Sequence, residues 1–235
     1  MPLRRVLRIL SIALITAGLV ILADVAATLA WKEPVSTIYS SIQQGRAADE
    51  LERLEESFPS AADLQALKQA QGVSRRARLL ADRFAADLAA RTGEGIGRVE
   101  IPEIDLDAVL VEGTDTASLK KGPGHYPETS LPGQGKTIGI AGHRTTYLAP
   151  FRHLDQLDGG DEISVEMPYA SFTYEVEKTE IVEPSEVQVV RDIGRERLVL
   201  TACNPLYSAA QRIAVFARLT EVSRFAGPHQ RWPDP

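Results

Sequence analysis

Cysteine is nearly missing from this chain: Cys203 is the only one among 235 residues. A single thiol makes no intrachain disulfide, so the fold must rest on its core, and the thiol invites a chemical explanation. A basic surplus is missing too. Lys and Arg number 26 against 32 Asp and Glu, for a net charge of −6, and no Lys/Arg block carries interleaved aromatics. No nucleic-acid partner is expected from such a balance. No Gly-rich phosphate loop is present, which leaves no nucleotide cofactor implied. Asp155, Asp158 and Asp161 do not match an EF-hand loop and read as a solvated turn. No repeat of solenoid period occurs. The length allows one good-sized domain with accessories.

Long hydrophobic runs are scarce as well, with one exception. From Ile9 to Ala30 the chain is apolar apart from Asp24, and Arg4, Arg5 and Arg8 precede it. About 20 apolar residues suffice to cross a bilayer as a helix. The arginines predict a cytoplasmic N-terminus and an exported remainder. Asp24 lies near the outer end, where water and headgroups reach it. A cleaved signal peptide, cut near Ala26, Ala27 or Ala30, is the competing reading. The run exceeds the roughly 7–15 residues of a signal-peptide core, which favours an uncleaved anchor. The chain thus divides into a basic tail (1–8), a membrane anchor (9–30) and extracytoplasmic remainder, in contact with membrane lipid.

Residues 31–95 read as a polar helical connector. Leu51 and Leu54 mark one amphipathic segment that ends at Pro59. Ser60 or Asp63 caps a second, with Leu64, Leu67 and Ala70 on one face, and Gly72 breaks it. Leu80, Phe84 and Leu88 then recur at helical spacing among Arg75, Arg76, Arg78 and Arg83, which read as a solvated face.

Beyond Ile96 the period becomes two. Val99 and Ile101 alternate with charges, as do Ile104, Leu106 and Ala108. Ile138 and Ile140, then Ile163, Val165 and Met167, then Phe172, Tyr174 and Val176 follow the same rule. Leu198-Val199-Leu200 and Ile213 to Phe216 are continuous apolar runs, suited to strands covered on both faces. Turn signals fall at Gly122-Pro123-Gly124, Pro132-Gly133 and Gly159-Gly160. Seven or eight short strands over 96–222 predict a mainly β domain, a closed barrel or sandwich. A polar tail with three prolines, 223–235, is expected to be disordered.

Cys203 ends one predicted strand, His143 follows another, and Arg212 begins the next. Neighbouring strand ends converge on one rim of a small barrel. That trio suits acyl transfer: a thiol nucleophile, an imidazole for proton transfer and a guanidinium for the oxyanion. Each residue alone has a plainer reading. Cys203 fits a buried inert thiol, His143 a surface residue, and Arg212 an edge-strand charge. His125, in its Gly-Pro-Gly turn, reads as structural or substrate-lining. A zinc site of His125, His143 and Cys203 lacks a fourth ligand and the usual spacing. His153 and His229 have no evident partners.

The stretch Thr137-Ile138-Gly139-Ile140-Ala141-Gly142-His143-Arg144-Thr145-Thr146, then Leu198 to Cys203, then Arg212, resembles a sortase, a membrane-anchored cysteine transpeptidase of the bacterial surface. Gly122 to Tyr126 and Leu131-Pro132-Gly133 fit the same family, and Thr145 to Arg152 is most similar to its class E branch. The resemblance covers about 96–220. It implies a closed eight-stranded β-barrel behind a single-pass anchor at the cell membrane, with no metal or organic cofactor. It implies catalytic Cys203, His143 and Arg212. Its partners would be surface proteins bearing a C-terminal sorting signal, Leu-Ala-x-Thr-Gly or Leu-Pro-x-Thr-Gly, cleaved between Thr and Gly. The acceptor would be an amine of a cell-wall precursor or a pilin lysine. Tyr126, Thr145 and Ala202 are the expected substrate contacts. Ala202 departs from the family, which usually places Thr before the cysteine; Thr201 lies one place earlier, on the opposite strand face.

Three other functions compete. An exported thiol transpeptidase of cell-wall peptides usually carries a Ser-x-Gly-Cys neighbourhood, absent here. Papain-like proteases place Cys before His, and caspase-like ones need a Gln-Ala-Cys that Thr201-Ala202-Cys203 does not supply. A non-enzymatic tethered β domain would bury Cys203.

Overall fold

The computed structural model describes residues 3–31 and 34–224. His229 and nearly all of the predicted disordered tail (from 225) lie outside the described residues. Helix α1 (Leu3–Trp31) carries the apolar run; its Arg4–Val25 stretch has a mean hydropathy of 2.5 and none of it is buried against the rest of the chain. Such a helix is compatible with a membrane anchor.

Eight strands close into a barrel: β1 (Gly95–Ile101), β2 (Leu106–Glu112), β3 (Gly124–His125), β4 (Thr137–Ala141), β5 (Glu162–Met167), β6 (Ala170–Val182), β7 (Arg197–Asn204) and β8 (Gln211–Ser223). Around the barrel the order is β1-β2-β3-β4-β7-β8-β6-β5, and β5 returns to β1. The β2–β3 and β4–β7 pairs are parallel and the others antiparallel. The alternating positions face inward: Ile138, Ile140, Leu198, Leu200, Phe172, Tyr174, Ile213 and Val215 share one buried core. The continuous run of β7 is covered on its other face too, where Val199 packs with Ala214, Phe216 and the 3-10 turn at 187–190.

Two strand expectations need correction. Ile104 is not in a strand: Pro102–Ile104 forms a 3-10 turn and Asp105 takes φ 51°, so Ile101 pairs with Leu106 across a tight hairpin. Proline fixes φ and removes a ladder donor there. The Gly122-Pro123-Gly124 turn runs straight into a two-residue strand, β3, which wedges between β2 and β4.

The helical segment belongs to the body of the fold. Helix α2 (Pro34–Ser57) seats Ala47 and Leu51 on Val109 and Val111 of β2. Helix α3 (Ala61–Leu67) begins with a full capping box, Ser60 with Asp63, which satisfies two orphan N–H groups at its start. Helix α4 (Val73–Ala85) starts after Gly72 at φ 81° and buries Ala77, Leu80, Ala81 and Phe84 in the barrel core. Phe58, Phe84, Tyr169 and Phe172 pack edge-on or tilted at centroid distances of 5.2–6.4 Å. Tyr169 lies at the β5–β6 turn. Because Ser171 pairs with Ser223 while Val182 pairs with Arg212, that turn is at the end of the barrel opposite Arg212. The helices plug that end and leave the other to loops.

Candidate active site

Sheet register assembles the open end. Parallel β4 and β7 finish together, Ala141 beside Thr201, and antiparallel β8 starts where β7 stops. Cys203 and Arg212 are direct cross-strand partners, which puts their Cα atoms within about 4.5–5.5 Å. His143 follows β4 by two residues, and Gly142 N–H donates to Thr201 O at 3.0 Å. All three sequence-predicted catalytic residues therefore stand at one barrel end. Cys203 is partly exposed.

Thr201 and Cys203 point to the outside of β4 and β7, on the same face as Val199 and opposite the core-facing Leu200 and Ala202. Tyr126 lies across that face, and its hydroxyl is 2.9 Å from Thr201 Oγ1. A Cβ on Gly139 would come within 2.8 Å of the Tyr126 ring and 3.1 Å of Val190, so only glycine lets that ring lie on the sheet. Ala202 is the expected contact that the structure does not bring to this face. Its side chain is 4% exposed and packs in the barrel core with Leu200 and Ile213. Strand alternation turns residue 202 inward when 201 and 203 point outward. Thr145 sits partly exposed in the loop after His143.

That loop is tightly built. Phe151 slots under Gly142, where any Cβ would meet its ring at 2.5 Å, and Phe151 N–H closes on His143 O at 3.0 Å. Between them Tyr147, Leu148 and Ala149 all take positive φ, 51°, 64° and 45°. Left-handed backbone costs a non-glycine residue about 1–2 kcal/mol. What the strain achieves is the placement of Tyr147: its ring packs on His143 at 5.0 Å between centroids, with Lys120 Nζ 5.5 Å from its centre. Lys120 follows a short helix, α5 (Thr116–Leu119).

His143 Nε2 is buried and, among the described residues, is the one buried side-chain nitrogen or oxygen with no hydrogen-bond partner. Leaving such a group unpaired costs about 1–3 kcal/mol. Burial, and then the Lys120 ammonium, push the His143 pKa below its ordinary value. Arg212 donates from Nη1 to the carbonyls of Ala209 (3.0 Å) and Gln211 (2.9 Å), which tether it at the mouth of the strands.

Sequence reasoning missed Arg144. Its guanidinium is 3% exposed and reaches four groups: Asp155 Oδ1 at 2.8 Å, Asn204 Oδ1 at 2.5 Å, Arg152 O at 3.3 Å and Cys203 O at 3.5 Å. One side chain thus ties the His143 loop to the residue bearing the thiol. The signal was its place beside His143, hidden because arginines at strand ends are usually solvated. A second tie joins Arg152 to the Tyr207 hydroxyl at 3.1 Å.

His125 has no access to substrate. It is fully buried, with Nδ1 2.8 Å from Glu112 Oε2 and Nε2 3.1 Å from Ser130 O, and it anchors the segment that follows Tyr126. Both ring nitrogens are engaged, which removes it as a metal ligand. His153 bonds Gln156 at 3.1 Å on the surface.

A family profile described as the sortase domain matches residues 99–220, just over half of the chain. The chain is 38% identical over 115 residues to Sortase D of Bacillus subtilis (strain 168), which covers 48% of this chain and 57% of that protein. It is 30% identical over 145 residues to Sortase SrtE1 of Streptomyces coelicolor, covering 55% of this chain and 41% of that one. The crystal structure of Sortase E1 from Streptomyces coelicolor with a tripeptide in the active site superposes with a TM-score of 0.53 at 30% identity, over 56% of this chain and 91% of that chain. The chain spans about half the length of the curated relatives it matches.

Proposed function

The chain belongs to the sortase family, and on that premise we propose that it is a membrane-anchored cysteine transpeptidase with Cys203, His143 and Arg212 as its catalytic set. Cys203 passes its thiol proton to His143, and its Sγ attacks the Thr carbonyl carbon of a sorting signal of the Leu-Ala-x-Thr-Gly or Leu-Pro-x-Thr-Gly kind. Arg212 donates N–H bonds to the carbonyl oxygen as it becomes negative; a guanidinium keeps its charge at any working pH. The C–N bond to Gly breaks, His143 gives its proton to the departing amine, and a thioester remains on Sγ. An incoming amine, of a cell-wall precursor or a pilin lysine, attacks that thioester and loses a proton to His143. Sγ then leaves and takes that proton back from His143, and a new amide joins the client protein to the cell surface.

The observation that carries this reading is the placement of His143: a buried, unpartnered imidazole nitrogen at the same barrel end as the cross-strand pair Cys203 and Arg212. A proton-transfer group needs a nitrogen that is not already committed. Tyr126 and Thr145 supply substrate contacts, with Thr201 beside them on the outward face. Helix α1 anchors the enzyme with its N-terminus in the cytoplasm, consistent with Arg4, Arg5 and Arg8.

The test incubates the protein with both signal peptides and an amine and follows products by mass spectrometry. Cleavage between Thr and Gly with amine ligation, lost in Cys203→Ala, is the expected result and ranks the two signals. No cleavage of either peptide, with Cys203 unreactive to iodoacetamide, would sink it.

A further inference from the structure

Helix α2 has two unlike faces. One sits on the barrel: Ser40 is 1% exposed and donates to Lys120 O at 2.9 Å, Gln44 bonds Val109 and Lys121, and Ala47, Leu51 and Leu54 are buried. Roughly 140–180° round the helix, at 100° per residue, Ile38 and Ile42 are 64% and 54% exposed, with Tyr39 beside them at 46%. Helix α1 leaves these three uncovered. The apolar character stops there. Farther along the same helix the exposed residues are Gly45, Arg46, Asp49, Glu52, Arg53, Glu56 and Ser57.

We propose that the first three turns of α2 seat the protein on the membrane surface, with Ile38, Tyr39 and Ile42 inserted at the headgroup boundary of the bilayer that α1 crosses. The proposal rests on the anchor reading given above. Three observations favour lipid over a protein partner. Helix α2 begins three residues after α1 ends, so its first turns are held at the bilayer edge whatever else happens. Polarity is graded along the helix, apolar next to α1 and charged away from it, as suits a helix that leaves the interface at a tilt. An isoleucine pair with a tyrosine is the composition of an interfacial seat, where an aromatic hydroxyl stays wet while its ring is buried.

The seat has a consequence for the site. Ser40 holds Lys120, Lys120 lies over Tyr147, and Tyr147 packs on His143. The helix resting on lipid is bonded to the segment that covers the proton-transfer group, so the open barrel end faces the membrane side and the plugged end points away.

The experiment uses the full chain in nanodiscs of phosphatidylcholine and phosphatidylglycerol, with Cys203→Ala as background. Single cysteines at Ile38→Cys, Ile42→Cys, Glu52→Cys and Ile15→Cys carry an environment-sensitive fluorophore. Quenching is read with a shallow nitroxide lipid, a deep nitroxide lipid and aqueous iodide. At positions 38 and 42 the shallow nitroxide should quench several-fold more, and iodide several-fold less, than at position 52. Equal iodide access at 38, 42 and 52 would overturn the proposal. Protection from iodide without nitroxide quenching would also overturn it, since a second copy of the chain would then be the cover. The probe at 15 separates the two readings. Deep quenching there with none at 38 and 42 defeats the seat alone, and no quenching at 15 defeats the anchor and the seat together.

Discussion

The two ends of the barrel are built on opposite principles. One is closed by side chains that fill space. Phe84 of α4 and Phe58, just past α2, meet Tyr169, which in turn meets Phe172, and both buried tyrosine hydroxyls there have partners: Tyr169 donates to Pro132 O at 2.9 Å and Tyr174 to Glu196 Oε1 at 3.0 Å. Burial, reinforced by Glu196, pushes both phenols well above their ordinary pKa, so they remain donors. The other end is held by polar ties, Arg144 and Arg152, around a left-handed turn and a histidine nitrogen with no partner. The first end maximises packing and satisfaction. The second tolerates strain and an unmet hydrogen bond where chemistry is proposed, which is where rule-breaking in a fold is expected to gather.

Substitutions can test whether the ends are separable. The largest effect falls on the open end: Cys203→Ala should lower peptide transfer at least ~10³-fold. Its thermal midpoint should move by no more than about 2 °C, since the thiol is partly exposed and outside the core. Next comes Phe84→Ala at the plugged end, which should cost about 3–5 kcal/mol in urea unfolding while the folded fraction keeps its transfer rate to within about three-fold. A rate that fell together with stability would show the ends to be coupled.

Arg144→Met should lower kcat about 10–100-fold through misplacement of the reacting groups, with KM nearly unchanged and with partial recovery in Arg144→Lys. A change confined to KM would assign Arg144 to substrate binding instead. The smallest effect is expected from Lys120→Met. Burial and the Lys120 ammonium both disfavour the imidazolium, so removing the ammonium should raise the His143 pKa toward its ordinary value. His143 then gains its proton at a higher pH, and the acid limb of the pH–rate profile moves up. Titration of the His143 ring by NMR checks the direction, and a downward shift would contradict it.

Much of this division could be read from the sequence. Period-two alternation marked β1, β4, β5 and β6, and the continuous runs marked β7 and β8 as strands covered twice, because burial writes itself into residue order. The gathering of Cys203, His143 and Arg212 at one barrel end was legible for a different reason: each sits at a strand boundary that the same pattern reveals. β3 was illegible, since two residues carry no period, and their pairing depends on neighbours far along the chain. The plug formed by α3 and α4 was hidden likewise. Leu80, Phe84 and Leu88 announce an apolar face but not what it covers. Arg144 and the inward turn of Ala202 became visible only with the register in hand.

One feature of the topology reaches into how the molecule comes to exist. β4 and β7 pair in parallel, Thr137 beside Arg197, sixty residues apart. Loops of that length close slowly, and parallel pairing gives no local hairpin to start from. The β5–β6 and β7–β8 hairpins can zip on their own, the second bringing Arg212 to Cys203, but the strands bearing His143 and Cys203 must wait for one another. A newly made polypeptide therefore carries its thiol apart from His143 until β4 and β7 have paired. Under the proposed mechanism the reactivity of the thiol waits for that pairing, so an unfinished copy is a poor nucleophile toward its surroundings.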